Sequence, residues 1–400
     1  MSTLNEITGM IRRGVSVSIV SMKKPAGLNL VHDEITKYDL VGRTYYLNVS
    51  TGIKKWRNIL LRTLNGWYCL LFHATIPLSK KWTVLRFSLK KRSRRISLVH
   101  LVDLVNHISR EKPDVIYFHF ATHAGELIIL RRIFPVPFVT FFHGFDFSKS
   151  MKEKSDEYNY PELFAKGDIF FANSTFSGEK VRQLGCPAGR LFVPGLPVDD
   201  ASYPFKARSQ RNETRLLTVA RLVEKKGLEY SIRAVAGCLD EYPDLQYDII
   251  GDGPLKEGLE RLIGDLGCEK NIRLLRSLKK DLVIKAMMES DIFLLTSITA
   301  RDGETEGLGM VLLESQLTGM PVLATRHNGF TDAVLDGTSG FLVPEADVPA
   351  TVERLKWMLK HPEKWEGMGI AGRKHVMNNF SEKVYLDKII AHLQSARDRL

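Results

Sequence analysis

Residues 292–325 read IFLLTSITARDGETEGLGMVLLESQLTGMPVLAT, and the order of elements within that run decides the fold. IFLL is a short apolar run entered from Asp291 and left through polar residues, which is the mark of a buried strand. MVLLESQL is long enough for two helical turns, and the glycine at 319 stops it. PVLAT then returns to a strand. A strand, a helix and a second strand in so short a span make a βαβ unit, and such units build parallel sheets covered on both faces.

The same alternation extends outward in both directions. Strands are expected at residues 215–220, 246–250 and 272–275, and before them at residues 15–21, 114–119, 138–142 and 168–172, with helices such as residues 98–110 between them. Two series of this kind predict an α/β protein with two Rossmann-like, doubly wound domains facing across a cleft. The seam is expected where VPGLPVDD, residues 193–200, gives way to polar sequence as far as Asn212. The first domain is thus set at residues 1–195 and the second at 196–380. Residues 381–400 are expected to form an amphipathic helix that lays Val384, Ile389, Ile390 and Leu393 back toward the first domain.

A chain of 400 residues exceeds what one core usually fills, which suits two domains. Cys69, Cys186, Cys238 and Cys268 have no ligand-like spacing and suit a reduced, cytoplasmic setting. No secretory signal opens the chain, and its longest apolar run falls short of a membrane span. The net charge of +11 is concentrated, because residues 54–95 hold twelve Lys or Arg and no acid. Trp56, Trp67 and Trp82 are interleaved there, a composition suited to an anionic membrane surface at the inner face of the cell membrane. No nucleic-acid module accompanies the tract, so nucleic acid is not the expected partner. Solvated basic faces on core-packed helices remain the plainer alternative.

Within the opening run, EGLGMVLLE sets Glu306 and Glu314 eight positions apart across a helix start. At about 1.5 Å of rise per residue the two carboxylates would meet a ligand at points about 10–12 Å apart. Gly307, Leu308 and Gly309 between them let a backbone approach, and free amides at a helix start favour an anion. A sugar joined to a nucleoside through diphosphate has that layout. The diphosphate calls for cations, and VARLVEKKG, residues 219–227, supplies Arg221 and Lys226 directly after a strand. No clustered acids with supporting ligands appear, so no metal and no cofactor are expected. His119 and His123 stand four apart, but His119 ends a strand and a helical metal pair is not expected there.

VARLVEKKG, IIGDGP, EGLGMVLLESQLTGMPVLAT and NGFTDAVLDGTSGFLVPE resemble the second domain of the family-four retaining glycosyltransferases of the GT-B fold. IYFHFATHAG, FVTFFHGFDFS and FFANSTFSGEKVRQLG resemble that family's first-domain motifs in the same order, so the likeness covers nearly the whole chain. It is nearest to the enzymes that build bacterial exopolysaccharide and lipopolysaccharide. The resemblance implies that Glu306 faces the donor sugar and Glu314 the ribose, while Arg221 and Lys226 hold the diphosphate. It further implies that His143 reaches the donor sugar near the reacting carbon, oriented by Asp146. Gly251 and Gly253 of GDGP are candidate donor contacts, and Arg276 stands where relatives often carry glycine beside the base. The implied acceptor is a glycan, lipid-linked.

Besides Arg276, two further departures accompany the likeness. Family members start with a strand and loop that this chain lacks before Asn5, and Thr331 and Asp332 replace a frequent Pro-Glu. The lost strand leaves open an inactive, membrane-bound scaffold or sugar-binding protein. A nucleotide-sugar epimerase shares the two-domain architecture but is not expected to combine the Arg-Lys pair with the spaced glutamates.

Overall fold

The computed structural model describes residues 2–21, 33–47, 70, 74–90, 98–147, 158–209 and 213–399. Most of the basic tract 54–95 therefore lies outside the described residues.

Short aliphatic and aromatic runs become strands wherever helices can cover both of their faces. In the first half these are β1 (Ile19–Ser21), β2 (Thr44–Tyr46), β3 (Ile116–Phe118), β4 (Phe138–Phe142), β5 (Ile169–Ala172) and β6 (Leu191–Phe192). The second half supplies β7 (Arg215–Val219), β8 (Gln246–Ile250), β9 (Ile272–Leu275), β10 (Ile292–Leu295), β11 (Val322–Thr325) and β12 (Gly340–Val343). The last six form one parallel sheet in the order β12-β11-β10-β7-β8-β9, with Ile292 opposite Leu216 and Phe293 opposite Val322. Residues 292–325 are its β10-helix-β11 unit. Every residue of β10 and β11 is buried, as continuous aliphatic runs in a doubly covered sheet require.

The first domain departs from a single sheet. β3 to β6 make a four-stranded parallel sheet in sequence order, while β1 and β2 pair only with each other among the described residues. The expected strand at residues 15–21 contracts to three residues. Residues 15–18 join no ladder, and Val15 and Val17 instead pack against the large apolar cluster.

That cluster fuses the two domains. It runs from Phe141 and Phe171 of the first sheet to Phe293 of the second and to Leu312 and Leu313 of the helix Met310–Leu317, and on to Leu386 and Ile389. The chain crosses between the domains twice, side by side. Val198 donates its N–H to the Phe380 carbonyl at 3.0 Å, and the Glu382 N–H donates to Asp200 Oδ1 at 3.0 Å. The helix Glu382–Asp398 then lies against the first domain, its Arg12–Glu382 and Arg13–Asp387 ion pairs meeting the helix Ser2–Arg12, and His392 sits 3.9 Å from the Phe192 ring centroid. Among the described residues no helix is long and apolar enough to cross a membrane. Cys186, Cys238 and Cys268 are buried and unbridged, and burial pushes the Cys186 thiol up to about 12.

Candidate active site

The carboxyl ends of both parallel sheets open toward the same seam, so the residues after each strand line it. Beyond β7, residues 220–223 lead into the turn Glu224–Lys226. Beyond β10, the loop 296–305 leads to the helix Met310–Leu317. The two loops are tied together: Thr296 Oγ1 donates to the Gly227 carbonyl at 2.7 Å, and the Ile298 N–H to the Lys225 carbonyl at 3.0 Å. This brings Lys226 and Glu306 into an ion pair at 2.6 Å. Lys226 is buried at 8% exposure, and so its charge is poorly screened and needs that partner. Arg221 is exposed, one residue past the β7 loop's entry into solvent.

Gly309 begins the helix with φ +73°, and a Cβ there would strike the Phe330 ring at 2.6 Å. Only glycine meets both conditions at that position. A Cβ on Gly307 would stand 2.8 Å from Asn173 Nδ2, so Asn173, just past β5 in the first domain, lies against the helix mouth. Leu308 is a core side chain, so residue 308 can offer a ligand only its backbone. Glu314 lies further along, where burial raises its carboxyl and the Tyr203 hydroxyl, hydrogen-bonded to it, opposes that rise. Gly251 and Gly253 press against the Ala220 and Leu222 carbonyls, where a Cβ would come within 1.8 and 2.5 Å, so they hold the Arg221 loop in place. Arg276 is exposed directly after β9.

The first-domain wall has a different chemistry. His143 follows β4 and stacks at 4.7 Å on Phe141, with its Nε2 buried and unpartnered. Burial lowers its imidazole to about 4, so the ring is neutral at physiological pH. Asp146 is fully buried and accepts the His143 backbone N–H at 2.9 Å and the Thr122 N–H at 3.3 Å. It therefore fixes the backbone of His143 and does not grip the imidazole. Burial raises the Asp146 carboxyl to about 7 against those bonds.

Behind His143 stands His119, its ring 6.0 Å away, likewise lowered to about 4 by burial. Its Nε2 lies 3.9 Å from Glu6 Oε2. Glu6, on the helix Ser2–Arg12, faces Tyr117 and Tyr385, and burial raises it to about 7. Sequence reasoning passed over Glu6, Asn173, Tyr203 and His327, because none belongs to a spaced pair. Asp332 was noted only as a departure, yet its carboxylate accepts the Thr175 N–H at 2.5 Å across the cleft. Asp332 thus joins the two walls.

Residues 199–375 match the family model of glycosyl transferases group 1, and residues 80–201 that of glycosyltransferase family 4. A protein of Escherichia coli K12 named as a colanic acid biosynthesis glycosyltransferase is 31% identical over 88% of this chain and 85% of its own length. The amylovoran biosynthesis glycosyltransferase of Erwinia amylovora is 29% identical over 95% of this chain and 92% of its own. Among solved structures, a glycosyltransferase from Rickettsia africae superposes with a TM-score of 0.71 at 17% identity, covering 99% of this chain and 94% of its own. The Anabaena protein HepE, solved in complex with UDP, gives 0.64 at 20% identity over 74% of this chain and 82% of its own.

Proposed function

This chain belongs to the family-four glycosyltransferases of the GT-B fold, and on that premise we propose that it moves a hexose, with retention, from a nucleoside-diphosphate sugar to a lipid-linked glycan in cell-surface polysaccharide synthesis. The observation that carries the reading is the Lys226–Glu306 pair at a helix mouth facing the seam between two domains. An incoming donor would insert its diphosphate beside Arg221 and Lys226, freeing the Glu306 carboxylate for the hydroxyls of the sugar. Glu314 would take the ribose in place of the Tyr203 hydroxyl.

In the reaction the bond from the anomeric carbon to the phosphate oxygen breaks, and the acceptor oxygen bonds to that carbon on the same face. The acceptor proton passes to the departing phosphate. The cost is the charge developing on that phosphate, and positioned cations and helix amides lower it without a metal. His143, held neutral by burial, can give one hydrogen bond to the donor sugar without adding charge beside the anomeric carbon.

Presentation of the acceptor at a bilayer is supported by the exposed stripe on the helix Leu78–Lys90. Leu78 and Trp82 are each 66% exposed and stand one turn apart, with Arg86 exposed one turn further. An apolar pair flanked by cations suits the boundary of an anionic membrane. The test is a thermal-shift and turnover panel of UDP, GDP, ADP and their sugars in the presence of EDTA. One nucleoside diphosphate should raise the melting temperature by mass action, and its sugar should be turned over. No stabilisation and no turnover from any donor would overturn the reading, and activity that returns only with Mg²⁺ or Mn²⁺ would overturn its metal-free form.

A further inference from the structure

Glu306 directly follows the loop 296–305, whose Arg301, Asp302 and Glu304 are exposed. A carboxylate on such a loop is held to one geometry only if something grips its backbone. That grip comes from the turn after β11. The Glu306 N–H donates to His327 Nε2 at 3.0 Å, and Asn328 Nδ2 donates to the Glu306 carbonyl at 2.9 Å. Both polar atoms of residue 306's backbone are therefore occupied by two neighbouring side chains.

Hydrogen-bond direction fixes the imidazole. A backbone N–H can only donate, so His327 Nε2 carries the lone pair and Nδ1 carries the proton. The Nδ1–H points to Glu345 Oε1 at 2.5 Å, and Glu345 Oε2 accepts the Thr299 N–H at 2.8 Å, at the near end of the same loop. His327 has no exposed surface and its ring meets Phe330 edge-on at 5.4 Å. Asn328 sits at φ +43°, a conformation that asparagine tolerates better than most residues. Gly329 lets its backbone reach the Gly307 carbonyl, 3.2 Å from its N–H. The arrangement follows the logic of a carboxylate that sets the tautomer of a metal-bound histidine, with a peptide N–H in the place of the metal.

We propose that Glu345, His327 and Asn328 are positioning residues for Glu306, a carboxylate-imidazole-amide clamp that locks the peptide of residue 306 so that its side chain is presented to the donor sugar. The clamp rests on the reading that Glu306 faces that sugar. Their contacts run to the Glu306 backbone and to one another, so on this proposal they act on turnover through Glu306. The proposed diphosphate ligands Arg221 and Lys226 are not altered in any of the test variants.

The experiment measures kcat and KM for the donor on the full chain in wild type, His327→Leu, His327→Gln, Asn328→Gly and Glu306→Gln, with melting temperatures alongside. His327→Leu removes the acceptor and should lower kcat by about tenfold or more while moving the donor KM by less than about threefold. Glutamine can place a carbonyl near the position of Nε2, so His327→Gln should recover turnover to within about threefold of wild type. Asn328→Gly keeps the left-handed backbone and removes only the amide, so it reports on the clamp even where His327→Leu does not fold, and should lower kcat several-fold at unchanged KM. Wild-type kcat in Asn328→Gly, or a glutamine variant no better than the leucine one at equal melting temperature, overturns the clamp. Full turnover in Glu306→Gln overturns the reading beneath it instead, which separates the two failures.

Discussion

The two walls of the cleft hold ionisable groups of opposite character. On the second-domain wall, Lys226 and Glu306 meet as an ion pair at 2.6 Å, with Arg221 exposed nearby. On the first-domain wall, His143 and His119 are lowered to about 4 while Asp146 and Glu6 are raised to about 7, each by burial, so that whole wall tends to neutrality. The difference teaches a division of labour. On the proposed reading, one wall answers charge with charge and suits an anionic donor, and the other offers neutral hydrogen-bonding groups to its sugar.

The largest effect that could break this contrast comes from the charged wall. Glu306→Gln removes one charge and almost no volume, and should cut transfer by more than about tenfold with the fold intact. Unchanged turnover would mean that the charged wall does not serve the reaction.

Next is the discrimination between phosphates. Lys226→Ala should weaken a nucleoside diphosphate by about tenfold to a hundredfold, as expected for a lost charged hydrogen bond, and the monophosphate far less. Arg221→Ala should act in the same direction but more weakly, because that guanidinium is exposed and screened. Titration calorimetry with both ligands makes the comparison, and equal weakening of the two would remove the diphosphate assignment.

The neutral wall makes a pH prediction. Glu6 is raised from 4.5 to about 7, so between those values the folded chain keeps a proton that the unfolded chain has released. Its contribution to stability is full below about pH 4.5 and is lost as pH rises through about 7. His119 and His143, lowered from 6.5 to about 4, act oppositely and lose stability as pH falls from 6.5 toward 4. Asp146, raised from 3.8 to about 7, slopes the same way as Glu6, so the two acids and the two imidazoles offset each other in the wild type. Glu6→Gln removes one of them, so the variant should gain on wild type as pH rises from 4.5 to 8, by a few kcal/mol at most. Parallel denaturation midpoints across that range would show that Glu6 is not the neutral buried acid described here.

Smallest is the membrane effect. Replacing Leu78 and Trp82 by Ser should reduce cosedimentation with phosphatidylglycerol vesicles several-fold while hydrolysis of a soluble donor stays unchanged. The attraction should also fade with salt, since screening shortens its reach to about 8 Å at physiological ionic strength. Wild-type protein that ignores such vesicles at low salt would return the helix Leu78–Lys90 to an ordinary solvated surface.

Legibility in the sequence followed the same division between the walls. The second domain could be read because most of its strands are uninterrupted aliphatic runs such as IFLL, and its candidate site residues stand at fixed distances within single loops and helices. Gly340–Val343 and Leu191–Phe192 were not separated as strands because both are short and lie beside turns. The division of the first sheet was hidden for another reason. Residues 15–18 have the alternation of a strand, but a ladder also needs a neighbour, and pairing is not written in a strand's own residues.

The clamp on Glu306 and the buried acid at Glu6 escaped for a related reason. Each depends on contacts between residues far apart in the chain, as with His327 and Glu345 or Glu6 and Tyr385. Asp146 could be marked as a partner of His143, yet only the structure shows that it holds the backbone.

Amide hydrogen exchange, measured with and without the nucleoside diphosphate that stabilises the chain most, tests the central claim that the second-domain wall receives the donor. The account predicts exchange slowed by about tenfold or more at residues 221–227 and 306–310, where the cations and the helix mouth meet the phosphates. Protection confined to residues 143–147 on the first-domain wall, with residues 221–227 and 306–310 unchanged, would contradict it.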